Sequence, residues 1–74
     1  MPSDVRYREL EKLYEEAGWW HERTHSSHRI FKSPTGLTES VSVHRNKVKY
    51  QYVRNAHKAI EEDKRRQQER GQGR

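Results

Sequence analysis

The residues best suited to chemistry are the histidines, three of which lie between positions 18 and 32. The chain has no cysteine, so a thiolate nucleophile and a thiolate metal site are both excluded. His28 is followed directly by Arg29 and, a little further on, by Lys32. An imidazole can accept or donate a proton near neutral pH, and neighbouring cations can bind a phosphate and stabilise developing negative charge. This combination is suited to cleaving an RNA backbone.

The stretch His21-Glu22-Arg23-Thr24-His25 also matches the zinc-protease signature H-E-x-x-H. That signature works only on a helix, where its two histidines lie one turn apart on the same face. Here the stretch follows a glycine and two tryptophans and precedes two serines, a context typical of a strand. On a strand the two histidines lie too far apart to chelate in that way. We therefore expect no protease-type metal site, and incidental metal binding with His28 as a third ligand is the alternative.

The elements that position His28 begin with an amphipathic helix over residues 4–17. Ser3 or Asp4 can cap this helix, because a short side-chain oxygen accepts from the free amides of the first turn. Gly18 suits the left-handed position that ends a helix. The apolar residues of the segment share one stripe at helical spacing: Tyr7, Leu10, Leu13, Tyr14 and Ala17.

Three short strands are predicted after this helix. The first runs from Trp19 to Thr24 and the second from Ser27 to Ser33, with a tight turn at His25-Ser26-Ser27. A loop at Pro34–Gly36 leads to the third strand. In that strand Val41 and Val43 alternate with polar residues, which is the period of a half-buried strand.

A second helix is predicted from about Val48 to Arg66, with an inner stripe of Val53, Ala56, His57 and Ile60. Residues 67–74 are all polar or glycine, and we expect them to form a disordered tail. The order helix, three strands, helix predicts an α+β fold of two layers in a single domain, residues 1–66. Both helices should cover one face of a three-stranded antiparallel sheet.

The alternation of side chains along a strand predicts which face carries His28. If Phe31, Val41 and Val43 face the core, His28 and His44 face the open side on neighbouring strands, within reach of each other. The same parity places four more side chains on the open side: Ile30, Lys32, Ser40 and Ser42. If Ile30 were the buried residue instead, or if a bulge lay near Arg29, His28 would turn inward.

Composition indicates a small protein with an anionic partner. The 74 residues include 16 Lys and Arg against 11 Asp and Glu, a formal net charge of +5. This surplus favours a nucleic acid, an acidic protein or a membrane surface as partner, the alternative being a basic protein with no such partner. The absence of cysteine fits a reducing cytoplasm. The sequence shows no signal-peptide segment and no apolar run long enough to span a bilayer, so we expect no membrane association.

With those elements in place, the sequence resembles the HicA family of small toxins from bacterial toxin–antitoxin pairs, over about Arg8 to Glu62. The family pattern is a helix ending in Gly-Trp, a Gly-Ser-His step leading into an aromatic residue, a Val-x-Val strand and a basic helix. The matching positions are Leu10–Leu13, Glu16–Trp19, Arg23, Ser26–Lys32, Val41–His44 and Val53-Arg54. The sequence departs from the pattern at Ser26, where the family usually has glycine. It departs again at Gln51-Tyr52, where the last helix usually opens with glycine-threonine.

The resemblance implies a fold like the double-stranded-RNA-binding domain and a metal-independent endoribonuclease activity on mRNA, without a cofactor. The strand-borne catalytic histidine of the family corresponds to His28. A HicB-like antitoxin is expected to cover the active site and hold the toxin inactive. The alternatives are a non-catalytic RNA-binding module of the same fold and a member that only binds its antitoxin.

Supporting roles around His28 are assigned by residue type and expected nearness. His44 and Ser27 are candidate supporting catalytic residues. The candidate RNA-binding cations surround the sheet and the start of the second helix: Arg29, Lys32, Arg45, Lys47, Lys49 and Arg54.

Overall fold

The computed structural model describes residues 4–72, so Ser3 and positions 73 and 74 of the predicted tail lie outside the described residues. The elements in chain order are β1 (Asp4–Arg6), α1 (Tyr7–Glu16), β2 (Trp20–His25), β3 (His28–Lys32), β4 (Thr38–Ser42), β5 (Lys47–Lys49) and α2 (Tyr50–Gln72). The predicted α+β class, with two helices and a three-stranded antiparallel sheet, is confirmed. A second, two-stranded ribbon of β1 and β5 was not predicted.

The first helix begins three residues later than predicted because Asp4–Arg6 is extended. These residues pair antiparallel with β5, with Val5 opposite Val48. The N-cap position is therefore Arg6, which makes no side-chain capping bond, and not Asp4. The amide of Tyr7 donates instead to the carbonyl of Asn46 at 2.8 Å. Backbone pairing with a distant strand has thus replaced the local cap that the sequence suggested.

The end of α1 agrees with the prediction. Gly18 has a φ of 90°, in the left-handed region that glycine adopts readily. Its amide donates to the carbonyl of Glu15 at 3.0 Å, which satisfies one of the last carbonyls of the helix. The chain then reverses into the sheet, and Trp19 is buried beside Tyr14, with ring centroids 5.0 Å apart.

The three-stranded sheet has the order β2-β3-β4, and its inner face carries the core. Phe31 and Val41 are almost completely buried, and the ring of Tyr14 stacks on Phe31 at a centroid distance of 4.5 Å. Both helices contribute to the same core, so both cover this one face of the sheet. The other buried apolar residues are Tyr7, Leu10, Trp19, Val48, Ala56, Ala59 and Ile60.

The second helix differs from the prediction at its inner stripe and at its end. His57 is exposed, and the buried apolar positions are Ala56, Ala59 and Ile60. The helix continues to Gln72, so residues 67–72 of the expected disordered tail are helical. Although α2 is long, neither helix in the described part of the chain is both long and apolar enough to cross a membrane.

A buried polar cluster joins the loop after β3 to α2. Asp63 is 1% exposed, and its carboxylate accepts from the amide and hydroxyl of Thr35 and from the Gln67 amide. Arg66 and Arg70 both donate to the backbone carbonyl of Thr35 at 3.2 Å. These bonds hold the loop against the helix and give the polar end of α2 a tertiary partner.

Candidate functional site

The sheet face turned away from the helices, which we call the open face, carries His28. Strand pairing arranges this face in three cross-strand rows, and the alternation from buried Phe31 fixes which residues belong to it. The rows are His25–His28–Ser42, Arg23–Ile30–Ser40 and Trp20–Lys32–Thr38. The alternative in which Ile30 is the buried residue is wrong, because Phe31 is 0% exposed and faces the helices.

His28 is held where a two-residue turn enters β3. Ser26 and Ser27 form the turn, and the carbonyl of Ser27 accepts from the amide of Val43 at 3.0 Å. This bond extends the pairing between β3 and β4 by one position, so the turn is fixed to the neighbouring strand. The His28 side chain is exposed between two cross-strand partners, where a substrate can reach it.

His25 is a partner of His28 that was not predicted from the sequence. The two residues face each other across the turn and share the open face. In such a pair the Cβ atoms lie about 4.5–5.5 Å apart, so the two imidazoles can act on one substrate. A two-residue turn always brings its flanking residues opposite each other. The expected turn included His25 itself, and this concealed the pairing.

Arg29 occupies the opposite side of β3 from His28. Its guanidinium carbon lies 4.3 Å from the centroid of the Tyr7 ring, and its side chain is half-buried. Burial raises the pKa of Tyr7, and Arg29 partly opposes that change. Arg29 therefore stabilises the helix-facing side of the sheet through a cation–π contact, and it does not join the open face.

A basic cleft lies beside the open face, between the end of β4, the β1–β5 ribbon and the start of α2. Its basic residues are His44, Arg45, Lys47 and Lys49, and its other lining residues are Asp4, Ser42, Val48 and Tyr52. The main chains of His44 and Lys47 exchange two hydrogen bonds, of 2.8 and 2.9 Å, around the turn at positions 45 and 46. Ser42 lines this basic cleft and is also the cross-strand partner of His28, so the two regions adjoin.

The H-E-x-x-H stretch lies on a strand, as predicted. The ring of His21 packs on the helix-facing side, 5.7 Å from that of Phe31, and its Nε2 hydrogen-bonds to the Thr24 hydroxyl at 2.9 Å. A bulge at Glu22 shifts the alternation of side chains between His21 and His25, so His25 lies on the open face. The two histidines thus point to opposite sides. Within the described residues, no three acidic or histidine side chains are grouped to hold a metal ion.

The structure brings only some of the predicted site residues together. His28 and Lys32 share the open face, while His44, Arg45, Lys47 and Lys49 line the adjoining basic cleft. Ser27 lies in the turn, and its backbone carbonyl accepts from the amide of Val43. Arg29 is on the other side of the sheet, and Arg54 is exposed on α2 outside the lining of the cleft. No protein-family model matches the chain, and no curated protein or solved structure is significantly similar to it.

Proposed function

We propose that this protein is a metal-independent endoribonuclease that cleaves mRNA and acts as the toxin of a toxin–antitoxin pair. The observation that carries the proposal is the row of exposed His25 and His28 with half-buried Ser42 on the sheet, next to the basic cleft. This row supplies proton-transfer groups, and the cleft supplies cations for a phosphate backbone.

The reaction requires one base and one acid on either side of a phosphodiester. A neutral imidazole removes the proton of a ribose 2′-hydroxyl, and the 2′-oxygen attacks the adjacent phosphorus. The bond to the 5′-oxygen breaks, and a protonated imidazole delivers a proton to that leaving oxygen. The products are a 2′,3′-cyclic phosphate and a 5′-hydroxyl. His28 takes one of these roles, and His25 is the nearest partner for the other because it lies directly across the turn.

The cations hold the substrate. Arg45, Lys47 and Lys49 in the basic cleft bind phosphates next to the scissile bond, and Lys32 binds the strand along the open face. Positive charge beside His28 also stabilises the additional negative charge on phosphorus in the transition state. His44 borders the same cleft and is the second candidate for the complementary acid or base.

The resemblance to HicA toxins supports two further parts of the proposal. The arrangement of α1, the three-stranded sheet and α2 is compatible with a fold like the double-stranded-RNA-binding domain, to which the β1–β5 ribbon is an addition. A HicB-like antitoxin in the cytoplasm covers the open face and blocks His28. Such a surface is accessible to a partner because the helices occupy only the other side of the sheet.

Replacing His28 with alanine tests the catalytic assignment, and His57→Ala is the matched control because His57 is an exposed histidine on α2. With EDTA present, we expect His28→Ala to cut an unstructured RNA at least about a hundredfold more slowly, since acid–base catalysis supplies that much or more. His57→Ala should cut at the parent rate. Both variants should retain the parent stability within about 0.5 kcal/mol, because both positions are exposed.

The same assay separates the alternatives. Full cleavage by His28→Ala would contradict the assignment, and His25→Ala and His44→Ala would then identify the histidine in use. RNA binding by the parent protein without cleavage would indicate a non-catalytic RNA-binding module. Growth arrest on expression in bacteria, absent for His28→Ala and relieved by a co-expressed antitoxin, is the expected result for a toxin.

A further inference from the structure

Trp20 is a large aromatic residue that the core does not use. Its neighbour Trp19 is 3% exposed and packs on Tyr14, whereas Trp20 is 44% exposed on the open face. It lies in the same row as Lys32, two rows from His28. The exposed surface of the Trp20 ring is not packed in the core, so it is available to a ligand.

The hydrogen-bond donor of the Trp20 ring already has a partner within the chain. The indole Nε1 of Trp20 donates to the carboxylate of Glu22 at 2.9 Å, and Glu22 is the bulged residue of β2. An indole has only one hydrogen-bond donor. What Trp20 offers to a ligand is therefore its apolar ring surface, with its orientation restrained by Glu22.

The charges around Trp20 indicate the chemistry of that ligand. Among the nine residues of the open face, the ionisable ones are Arg23, His25, His28 and Lys32. The carboxylate of the bulged residue Glu22 also lies beside Trp20, where it accepts from the indole Nε1, and the cations Arg23 and Lys32 outnumber it. Glu39, the acidic residue of β4, pairs with Phe31 on the other side of the sheet, where burial raises its pKa. The open face therefore favours a ligand that is both anionic and flat. A nucleobase on its phosphate backbone combines the two.

An antitoxin that covers the open face does not by itself account for the exposed ring of Trp20. The large apolar residues of this face are Trp20 and Ile30, which lie in different rows with the cations Arg23 and Lys32 beside them. A stable protein interface buries on the order of 800 Å² on each partner around an apolar centre. Trp20 and Ile30 alone are too small for such a centre, so the interface of the antitoxin must extend beyond these two residues, whereas one aromatic ring is enough to stack one base.

We propose that Trp20 is a base-stacking platform that binds one unpaired nucleobase of the RNA substrate. This inference rests on the proposed function, because it places the base on the same strand that His28 cuts. Two rows along a strand correspond to about 13 Å, so the stacked base lies a few nucleotides from the scissile phosphate. A base inside a duplex cannot reach the ring. The substrate class is therefore single-stranded RNA.

Binding measurements in a His28→Ala background test this proposal without cleavage of the probe. The probe is a labelled twelve-nucleotide unstructured RNA, and a blunt duplex of the same length is the comparison. Adding Trp20→Ala should weaken binding of the single strand about 5- to 150-fold, the range for one base on an aromatic ring, and leave duplex binding unchanged. Trp20→Phe keeps an aromatic face and should bind within a few-fold of the background protein. Thermal unfolding of each variant checks that the fold is retained.

An abasic nucleotide moved along the probe locates the stacked base. At one position it should weaken binding by the background protein and have no further effect on the Trp20→Ala variant. Equal single-strand binding with and without Trp20 would overturn the proposal, as would a loss that no abasic position reproduces. Cleavage assays distinguish failure of the stacking proposal from failure of the nuclease proposal. If Trp20→Ala in the otherwise native chain cuts RNA with unchanged KM, the stacking proposal is contradicted and the nuclease proposal is supported. If the native chain binds RNA through Trp20 without cutting it, the nuclease proposal is contradicted and the stacking proposal is supported.

Discussion

Three residues other than glycine have left-handed backbone conformations in the two tight turns. Ser26 has a φ of 60°, and Arg45 and Asn46 have φ values of 53° and 65°. For an L-residue this conformation costs about 1–2 kcal/mol, with asparagine tolerating it best. Both turns border the proposed site, one beside His28 and the other in the basic cleft. A serine and an arginine at such positions are consistent with side chains retained for function at some expense of stability.

Ser26→Gly should stabilise the protein, because glycine adopts a positive φ without the clash of a Cβ atom. The gain should be about 1 kcal/mol, reduced somewhat by the greater entropy of glycine in the unfolded chain. Ser27→Gly is the control, since Ser27 is not among the positive-φ residues, and it should be neutral or destabilising. Urea unfolding measures both. A destabilised Ser26→Gly would mean that the serine side chain contributes more than its backbone costs.

At the scale of single residues, the sequence predicted which face of the sheet a residue occupies better than it predicted which residues lie next to each other. The alternation of Phe31 and Val41 correctly placed His28 on the open face. The same alternation places Arg29 on the opposite face of the sheet from His28, although their nearness in sequence had grouped them as one site. The role of His25 depended on the exact limits of a turn, which differed by one residue from the prediction. Alternation is a local property, whereas cross-strand pairing depends on turn length.

At the scale of elements, the contact between the Pro34–Gly36 loop and α2 depends on one carboxylate. Burial acts to raise the pKa of Asp63, but its hydrogen bonds with Thr35, Ser33 and Gln67 together outweigh burial and lower it. A carboxyl group whose pKa is lower in the folded state stabilises the protein above its unfolded pKa, near 3.9. That stabilisation is lost as the pH falls through the lower, folded value.

Asp63→Asn should destabilise the protein at pH 7 by about 1–3 kcal/mol, because an amide cannot accept all of the hydrogen bonds that the carboxylate accepts. The difference from the parent protein should shrink as the pH is lowered below 4. Glu62→Gln is the matched control, since Glu62 is the adjacent acid and forms an exposed ion pair with Arg65; it should change stability by under about 0.5 kcal/mol. Urea unfolding across this pH range gives both values. Equal effects of the two variants would show that the buried cluster does not hold the loop.

The elements that the sequence failed to predict owe their structure to distant partners. Residues 67–72 contain no apolar position, but Gln67 and Arg70 bond to Asp63 and to the Thr35 carbonyl, so the helix continues. Asp4–Arg6 has a helical sequence context but pairs with β5. Hydrophobic periodicity cannot report either contact, because both are made through polar side chains or backbone. The three strands and the start of α2, which depend on burial patterns, were predicted to within a few residues.

Over the whole molecule, the positive charge is unevenly distributed. The two helices carry eight cationic and eight acidic residues, so they contribute no net charge. The strands and turns of the described chain carry seven cations against three acids, Asp4, Glu22 and Glu39. The surplus therefore lies on the sheet side, around the open face and the basic cleft. A potential concentrated on one side attracts and orients an anionic polymer more effectively than the same charge spread evenly.

This distribution predicts how RNA binding should depend on salt. Each phosphate contact releases counterions, so a plot of log affinity against log salt has a slope of about −0.7 per contact with single strands. In a His28→Ala background, replacing Lys47 and Lys49 of the basic cleft with alanine should flatten this slope by about 1.4 units. Replacing Lys12 and Lys64 on the helices removes the same net charge from the other side of the sheet and should leave the slope unchanged. If both pairs changed the slope equally, net charge alone would govern binding. The basic cleft would then have no special part in holding the RNA.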